Sequence, residues 1–281
     1  MSEVVNSSNK TNKPKKMSFG EHLEDLRWHL VRGFGAILLI AIVAFFFKSF
    51  LFDTIILGPR NPNFITNHFL CTIANLWNLN ICINQEPFQM INIQMSGQFK
   101  AHILISIITG IVVAFPYLVW ELWRFIKPAL HKREIQNSSG LLFAVSILFI
   151  VGVLFGYYLI VPLSINFLTN YSISAEVVNQ INFQSYFSIL TSIILASGVI
   201  FELPIIIYFL TKISLVNPSF LKAHRKHAVV LFVILSAIIT PPDVFSQVLV
   251  AVPLLLLYEL SIKISKKVYK NIRVSTGIDD E

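Results

Sequence analysis

Apolar residues in this chain fall into blocks rather than into an alternating or heptad pattern. Six blocks stand out: about Leu30 to Phe47, Ile103 to Trp123, Leu141 to Phe167, Tyr186 to Leu210, His227 to Thr240 and Val244 to Ile262. A bilayer core about 30 Å thick takes roughly 20 apolar residues in helix. The first four blocks meet that length. The last two reach roughly 21 and 28 Å at 1.5 Å per residue, so they suit a thin or untilted crossing. Only Pro241, Pro242 and Asp243 divide them. The pattern predicts an all-α polytopic membrane protein with six transmembrane helices. The first block is too long for a cleavable signal core, and no small-residue cleavage site follows Phe47, so the chain is expected to keep that helix.

The polar intervals orient the spans. Lys10, Lys13, Lys15, Lys16 and Arg27 precede block one; Arg124, Lys127, Lys132 and Arg133 follow block two. Lys212, Lys222, Arg225 and Lys226 follow block four, and Lys263, Lys266, Lys267, Lys270 and Arg273 follow block six. The long interval of about 48–98 carries only Lys48 and Arg60, and the intervals around 169–182 and 240–244 carry none. By the positive-inside rule both termini are expected in the cytoplasm. The expected organisation is a disordered tail over 1–18, a membrane domain over 19–262 with an extracytoplasmic cap loop of about 48–98, and a cytoplasmic tail over 263–281.

Composition sharpens this. The chain has 281 residues, 55% hydrophobic and 13% charged, with a net charge of +7 and a mean hydropathy of +0.69. Soluble domains carry about 25% charge, so an ordinary cytosolic enzyme is excluded, and so is a disordered chain. The positive charge follows the inward loops and requires no nucleic acid. Cys71 and Cys82 share the outer loop, where an oxidising compartment permits a bridge; two free thiols in a small cap is the other reading. Gly58-Pro59-Arg60-Asn61-Pro62 sets a turn after helix one, and Met90 to Gln98 reads as a helix or strand along the outer surface. Few Ala and Arg beside much Ile, Asn, Lys and Phe suggest an AT-rich genome, and a bacterial inner membrane is preferred to an organellar one.

Phosphate-loop, His-Glu-x-x-His and Gly-x-Ser-x-Gly patterns are absent from the sequence, which counts against a membrane enzyme. No internal repeat is evident, which weakens a transporter built of duplicated halves. The chemistry that remains is polar residues in costly places. Glu202 lies in Phe201-Glu202-Leu203-Pro204, roughly 13 Å inside helix four. A carboxylate there costs on the order of 3 kcal/mol, and protonation or a polar partner answers it. Pro204 loosens the helix beside it. Gln247 is the natural partner candidate, and Asp243 either joins it or caps the last helix. At the other end of the bundle, Leu23, Leu26 and Leu30 recur at helical spacing in Phe19–Leu30, an amphipathic segment leading into helix one that also carries Glu21, Glu24 and Asp25. These acids either suit a helix N-terminus or form a docking site for a basic ligand. Glu134, near Phe125 and Pro128, adds a fourth acid on that side.

Four motifs in this order resemble the C subunit of the twin-arginine protein translocase: His22-Leu23-Glu24-Asp25-Leu26-Arg27, Arg124-Phe125-Ile126-Lys127-Pro128-Ala129-Leu130, Phe201-Glu202-Leu203-Pro204 and Thr240-Pro241-Pro242-Asp243-Val244-Phe245-Ser246-Gln247. The resemblance covers about Phe19 to Ile262. It implies a concave six-helix bundle with inward termini that binds the paired-arginine signal peptides of folded precursors. It also implies assembly with single-span subunits of the TatA/TatB type, in homo- and hetero-oligomers within the bilayer, with transport driven by the proton gradient. No cofactor, metal or catalytic residue is implied. The family pattern places its signal-reading acids at Asp25 and Glu134, with Arg27 and Phe125 matching. It usually has Glu where this chain has Asp25, so Glu24 beside it is an alternative contact, and His29 stands where many members carry Arg. Glu202, Asp243 and Gln247 fall at the partner-contacting patch. Pro59, Pro128, Pro241 and Pro242 are read as architectural. A small-molecule secondary transporter or channel, with Glu202 as its coupling acid, is the alternative function.

Overall fold

The computed structural model describes residues 19–76, 82–84, 88–127, 138–174, 176, 179–240 and 244–276. Helix α1, Phe19–Phe46, opens the fold. It begins well before the first apolar block because Leu23, Leu26 and Leu30 carry helical periodicity through the acidic segment. A π-helical stretch over Phe50–Ile56 and a 3-10 turn over Gly58–Arg60 lead to α2, Ile65–Leu76. Strand β1, Met90–Ile91, precedes α3, Gly97–Ile126. Next comes a single long rod made of α4, Ser138–Phe155, a π-helical segment over Gly156–Ile160, and α5, Val161–Asn170. Strand β2, Ile181–Asn182, pairs parallel with β1 in the register Met90 to Ile181 and Ile91 to Asn182. Helices α6, Phe183–Phe201, and α7, Leu203–Lys212, follow, broken at Glu202. The short α8, Pro218–Ala223, then α9, Arg225–Ile239, and α10, Val244–Thr276, complete the order.

Four stretches are long and apolar enough to cross a membrane: Leu23–Phe46, Gly97–Ile126, Gly140–Asn170 and Phe183–Lys212. They correspond to the first four apolar blocks and extend each. The last two blocks form α9 and α10. With 15 residues, α9 reaches about 22 Å. Helix α10 runs past its expected end at Ile262, because Ser261 and Ser265 stay buried and Ser265 shares a 2.8 Å hydrogen bond with Thr211 at the end of α7. A docked polar face carries the helix onward where lipid no longer does.

Close helix contacts depend on absent side chains, as expected where lipid supplies no hydrophobic drive between helices. A Cβ on Gly110 of α3 would stand 2.6 Å from the Ile37 carbonyl oxygen of α1, and one on Gly152 of α4 would stand 2.6 Å from the Ser197 carbonyl oxygen of α6. Phe187, Leu190 and Ile193 of α6 are almost wholly buried and meet Ile105 of α3 and Ile160 and Val161 of the rod in one core. Outward, Leu38, Leu39 and Phe46 of α1 are exposed, as a lipid-facing surface requires.

The outer cap is tied by amides. Asn67 donates to the Pro59 and Asn61 carbonyls at 3.0 and 2.8 Å, and Asn84 donates to Pro162 at 3.1 Å. Cys71 and Cys82 are disulfide-bonded, with Cα atoms 4.4 Å apart. Tyr157 and Tyr186 donate to the Ile55 and Ile56 carbonyls at 2.6 and 2.8 Å, satisfying backbone acceptors at the end of the π-helical stretch. Pro59 is buried at the centre of this arrangement. The segment beginning at Met90 contributes a short strand and then the first turns of α3.

Candidate functional site

The first turns of α1 present Glu24, Asp25 and Arg27 to the surface. Asp25, His29 and Arg32 recur at i, i+4 and i+7, one stripe of the helix. That stripe meets the end of α3 at Glu121, a carboxylate only 3% exposed. His29 Nδ1 is hydrogen-bonded to Glu121 Oε2, and Tyr117 donates to Oε1 at 2.9 Å. Arg32 lies 3.7 Å from Oε2 and Arg124 lies 3.6 Å from Oε1. Two hydrogen-bonded side chains and two nearby guanidiniums from two helices thus surround one buried acid, which is how a carboxylate survives in an apolar setting. Aromatic rings frame the charges: Arg124 lies over Trp120 at 5.0 Å, Arg27 over Trp28 at 5.6 Å, and Phe125 stands edge-on to His29 at 6.1 Å between ring centres.

Sequence reasoning singled out Asp25, Arg27 and Phe125 but missed Glu121 and Arg32. The signal was present: an acid between tryptophans in Trp120-Glu121-Leu122-Trp123 is as costly as Glu202. Proximity to the basic flank made it read as an ordinary end of a span. The structure places Asp25 on the α3-facing stripe, one turn before His29, while Glu24 lies about 100° around the helix. Glu134 and Pro128 lie outside the described residues.

Deeper in the bundle, Glu202 is 9% exposed and separates α6 from α7. Its own carbonyl accepts from the Ile205 and Ile206 N–H groups, so α7 resumes at once with Pro204 in its first turn, where a missing donor costs least. Glu202 Oε1 has no hydrogen-bond partner among the described residues. The expected pairing with Gln247 is not formed: the Gln247 amide donates to the Val233 carbonyl of α9 at 3.1 Å. Asp243, Pro241 and Pro242 lie outside the described residues. Among the described residues, no group of three His, Cys, Asp or Glu side chains is placed to hold a metal ion.

Long apolar helices, small-residue crossings and a partly uncompensated intramembrane acid define a polytopic helical membrane protein with an acid-bearing entry helix. Residues 21–253 match the family described as Sec-independent protein translocase protein (TatC). The chain is 39% identical over 262 residues to the Sec-independent protein translocase protein TatC of Blattabacterium sp. subsp. Periplaneta americana, covering 92% of this chain and 98% of that one. It is 36% identical to the protein of that name from Helicobacter pylori strain 26695, covering 88% and 87%. Among solved structures it is similar to a crystal structure of the twin-arginine translocase receptor TatC in DDM, with a TM-score of 0.68, 31% identity, and 88% and 100% of the two chains covered. The chain belongs to the TatC family.

Proposed function

We propose that this protein is the receptor subunit of a twin-arginine export system, binding the paired-arginine signal peptide of folded precursors. The observation that carries this reading is the exposed pair Glu24 and Asp25 at the start of α1, held in register with α3 through the His29–Glu121 contact. A guanidinium is always charged and binds a carboxylate bidentately, which a lysine ammonium does not. Two adjacent guanidiniums therefore suit two acids on one helix turn, and Glu134 would supply a further acid from the loop after α3. Arg27 and Phe125 would border the bound peptide, whose apolar part would follow the bundle wall inward.

The same reading takes α9 and α10 as the fifth and sixth spans, residues 19–262 as the membrane domain, and both termini as cytoplasmic. Its support is the placement of basic residues beside Arg124, Lys212, Arg225 and Lys263. It places the protein in a bacterial inner membrane, with a concave bundle that assembles with single-span subunits of the TatA/TatB type and with further copies of itself. Glu202, with Gln247 of α10 and Asp243 just before it in the sequence, would offer such a subunit a polar contact, and the proton gradient would drive transport. Pro128, Pro241 and Pro242 would shape the turns between spans.

Site-specific photo-cross-linking tests the reading. A probe at Leu23 is expected to capture an Arg-Arg signal peptide at least several-fold better than its Lys-Lys counterpart. Equal capture of the two peptides would contradict the receptor reading and favour a small-molecule transporter with Glu202 as its coupling acid.

A further inference from the structure

Glu121 is a buried acid beside the α1 stripe that carries Asp25, His29 and Arg32. Glu121 is nearly inaccessible, so it does not itself grip a peptide. Its neighbours Arg32 and Arg124 keep their side chains 45% and 49% exposed while lying 3.7 and 3.6 Å from its two oxygens. Asp25 is seven residues before Arg32 on one helix stripe, a rise of about 10 Å. Any cation drawn to Asp25 therefore stands about one Debye length along α1 from Arg32, where repulsion is only partly screened, and Arg124 adds a second positive charge beside the Glu121 carboxylate. The other titratable groups facing Glu121 are His29 from α1 and Tyr117 from α3, both hydrogen-bonded to it.

We propose that Glu121 is a positioning residue of signal recognition whose negative charge offsets part of the positive charge of Arg32 and Arg124, keeping the field at Asp25 more attractive to a paired-arginine ligand. The proposal rests on the reading of the α1 acids as the signal site. It assigns the hub two linked tasks. Hydrogen bonding to His29 fixes the α1 stripe against α3, and the carboxylate charge offsets part of the charge of the two arginines beside it. A purely architectural hub needs the first task alone, and salt separates the two.

The test is a titration of a fluorescent Arg-Arg signal peptide onto the full-length protein in phosphatidylcholine nanodiscs at 50 and 500 mM NaCl. Glu121→Gln retains a hydrogen-bonding side chain but removes the charge. It is expected to weaken binding on the order of fivefold at 50 mM, with the deficit largely gone at 500 mM. Adding Arg32→Gln and Arg124→Gln to that variant is expected to restore wild-type affinity at low salt to within about twofold. With Glu121 intact, the same two arginine substitutions are expected to tighten binding at 50 mM, a readout available even if Glu121→Gln folds poorly. A deficit equal at both salt concentrations, a triple variant as weak as Glu121→Gln, or no tightening in the double arginine variant would overturn the proposal. A wild-type protein that binds Arg-Arg and Lys-Lys peptides equally would instead overturn the underlying receptor reading, so the two failures are distinguishable.

Discussion

Glu121 and Glu202 are both carboxylates in apolar surroundings, and the chain treats them oppositely. Glu121 is satisfied by His29 and Tyr117 with two arginines close by; Glu202 leaves Oε1 without a hydrogen-bond partner among the described residues. Removing a charge that has no compensating partner releases its desolvation penalty, whereas removing one from a satisfied network strands the partners. Glu202→Gln is therefore expected to leave the detergent-solubilised protein as stable as the wild type or up to about 1 kcal/mol more stable. A thermal or denaturant melt checks this, and a loss of more than about 2 kcal/mol would mean that the carboxylate has a strong partner in the free protein. Reading acids in apolar sequence found Glu202 and passed over Glu121, because Arg124 and Lys127 made the latter look like the polar edge of a span. The His29 partner comes from 92 residues away, a separation that no local pattern reports.

At the scale of elements, apolar block length located the four long membrane-crossing stretches, since the period and extent of a buried or lipid-covered helix are written directly into it. What block length could not show was where each helix changes character. The π-helical segment Gly156–Ile160 is invisible to hydropathy because it lies inside apolar sequence, whereas the break at Glu202 is signalled only by the pair Glu202 and Pro204 and not by block length. Helix α10 continues past Ile262 with Ser265 bonded to Thr211 of α7, a tertiary contact that block length does not report. The outer cap was legible as a turn with two cysteines, but its Asn67 and Asn84 ties were not. Helix crossings carry a sharper expectation. Gly152→Leu would drive a side chain into the Ser197 backbone of α6, so destabilisation of about 1–3 kcal/mol is expected, with α4 and α6 forced apart. A melt would register the stability loss. Protease or thiol-labelling access along Ser197 to Phe201 would register the separation. Unchanged stability would show that the two helices do not meet as closely as described.

Across the whole molecule, the acids proposed to read the signal lie apart from the interior carboxylate Glu202. The acids and arginines of the α1 stripe sit at one end of the α1–α3 pair; Glu202 sits at the break between α6 and α7, and the disulfide-tied cap closes the end where α1 leads into α2. Small-residue crossings let α1 lie close on α3, so a displacement of the α1 stripe is felt along a contact that reaches Gly110 near the middle of the span. The most direct measurement is a double-mutant cycle on equilibrium binding. It compares the wild-type protein with a Glu24→Gln, Asp25→Asn variant, each titrated with Arg-Arg and Lys-Lys signal peptides. The account expects the wild type to prefer Arg-Arg by about tenfold or more and the variant to lose most of that preference, a coupling on the order of 1–3 kcal/mol for charge-assisted bidentate contacts. An unchanged Arg-Arg preference in the neutralised variant would contradict it.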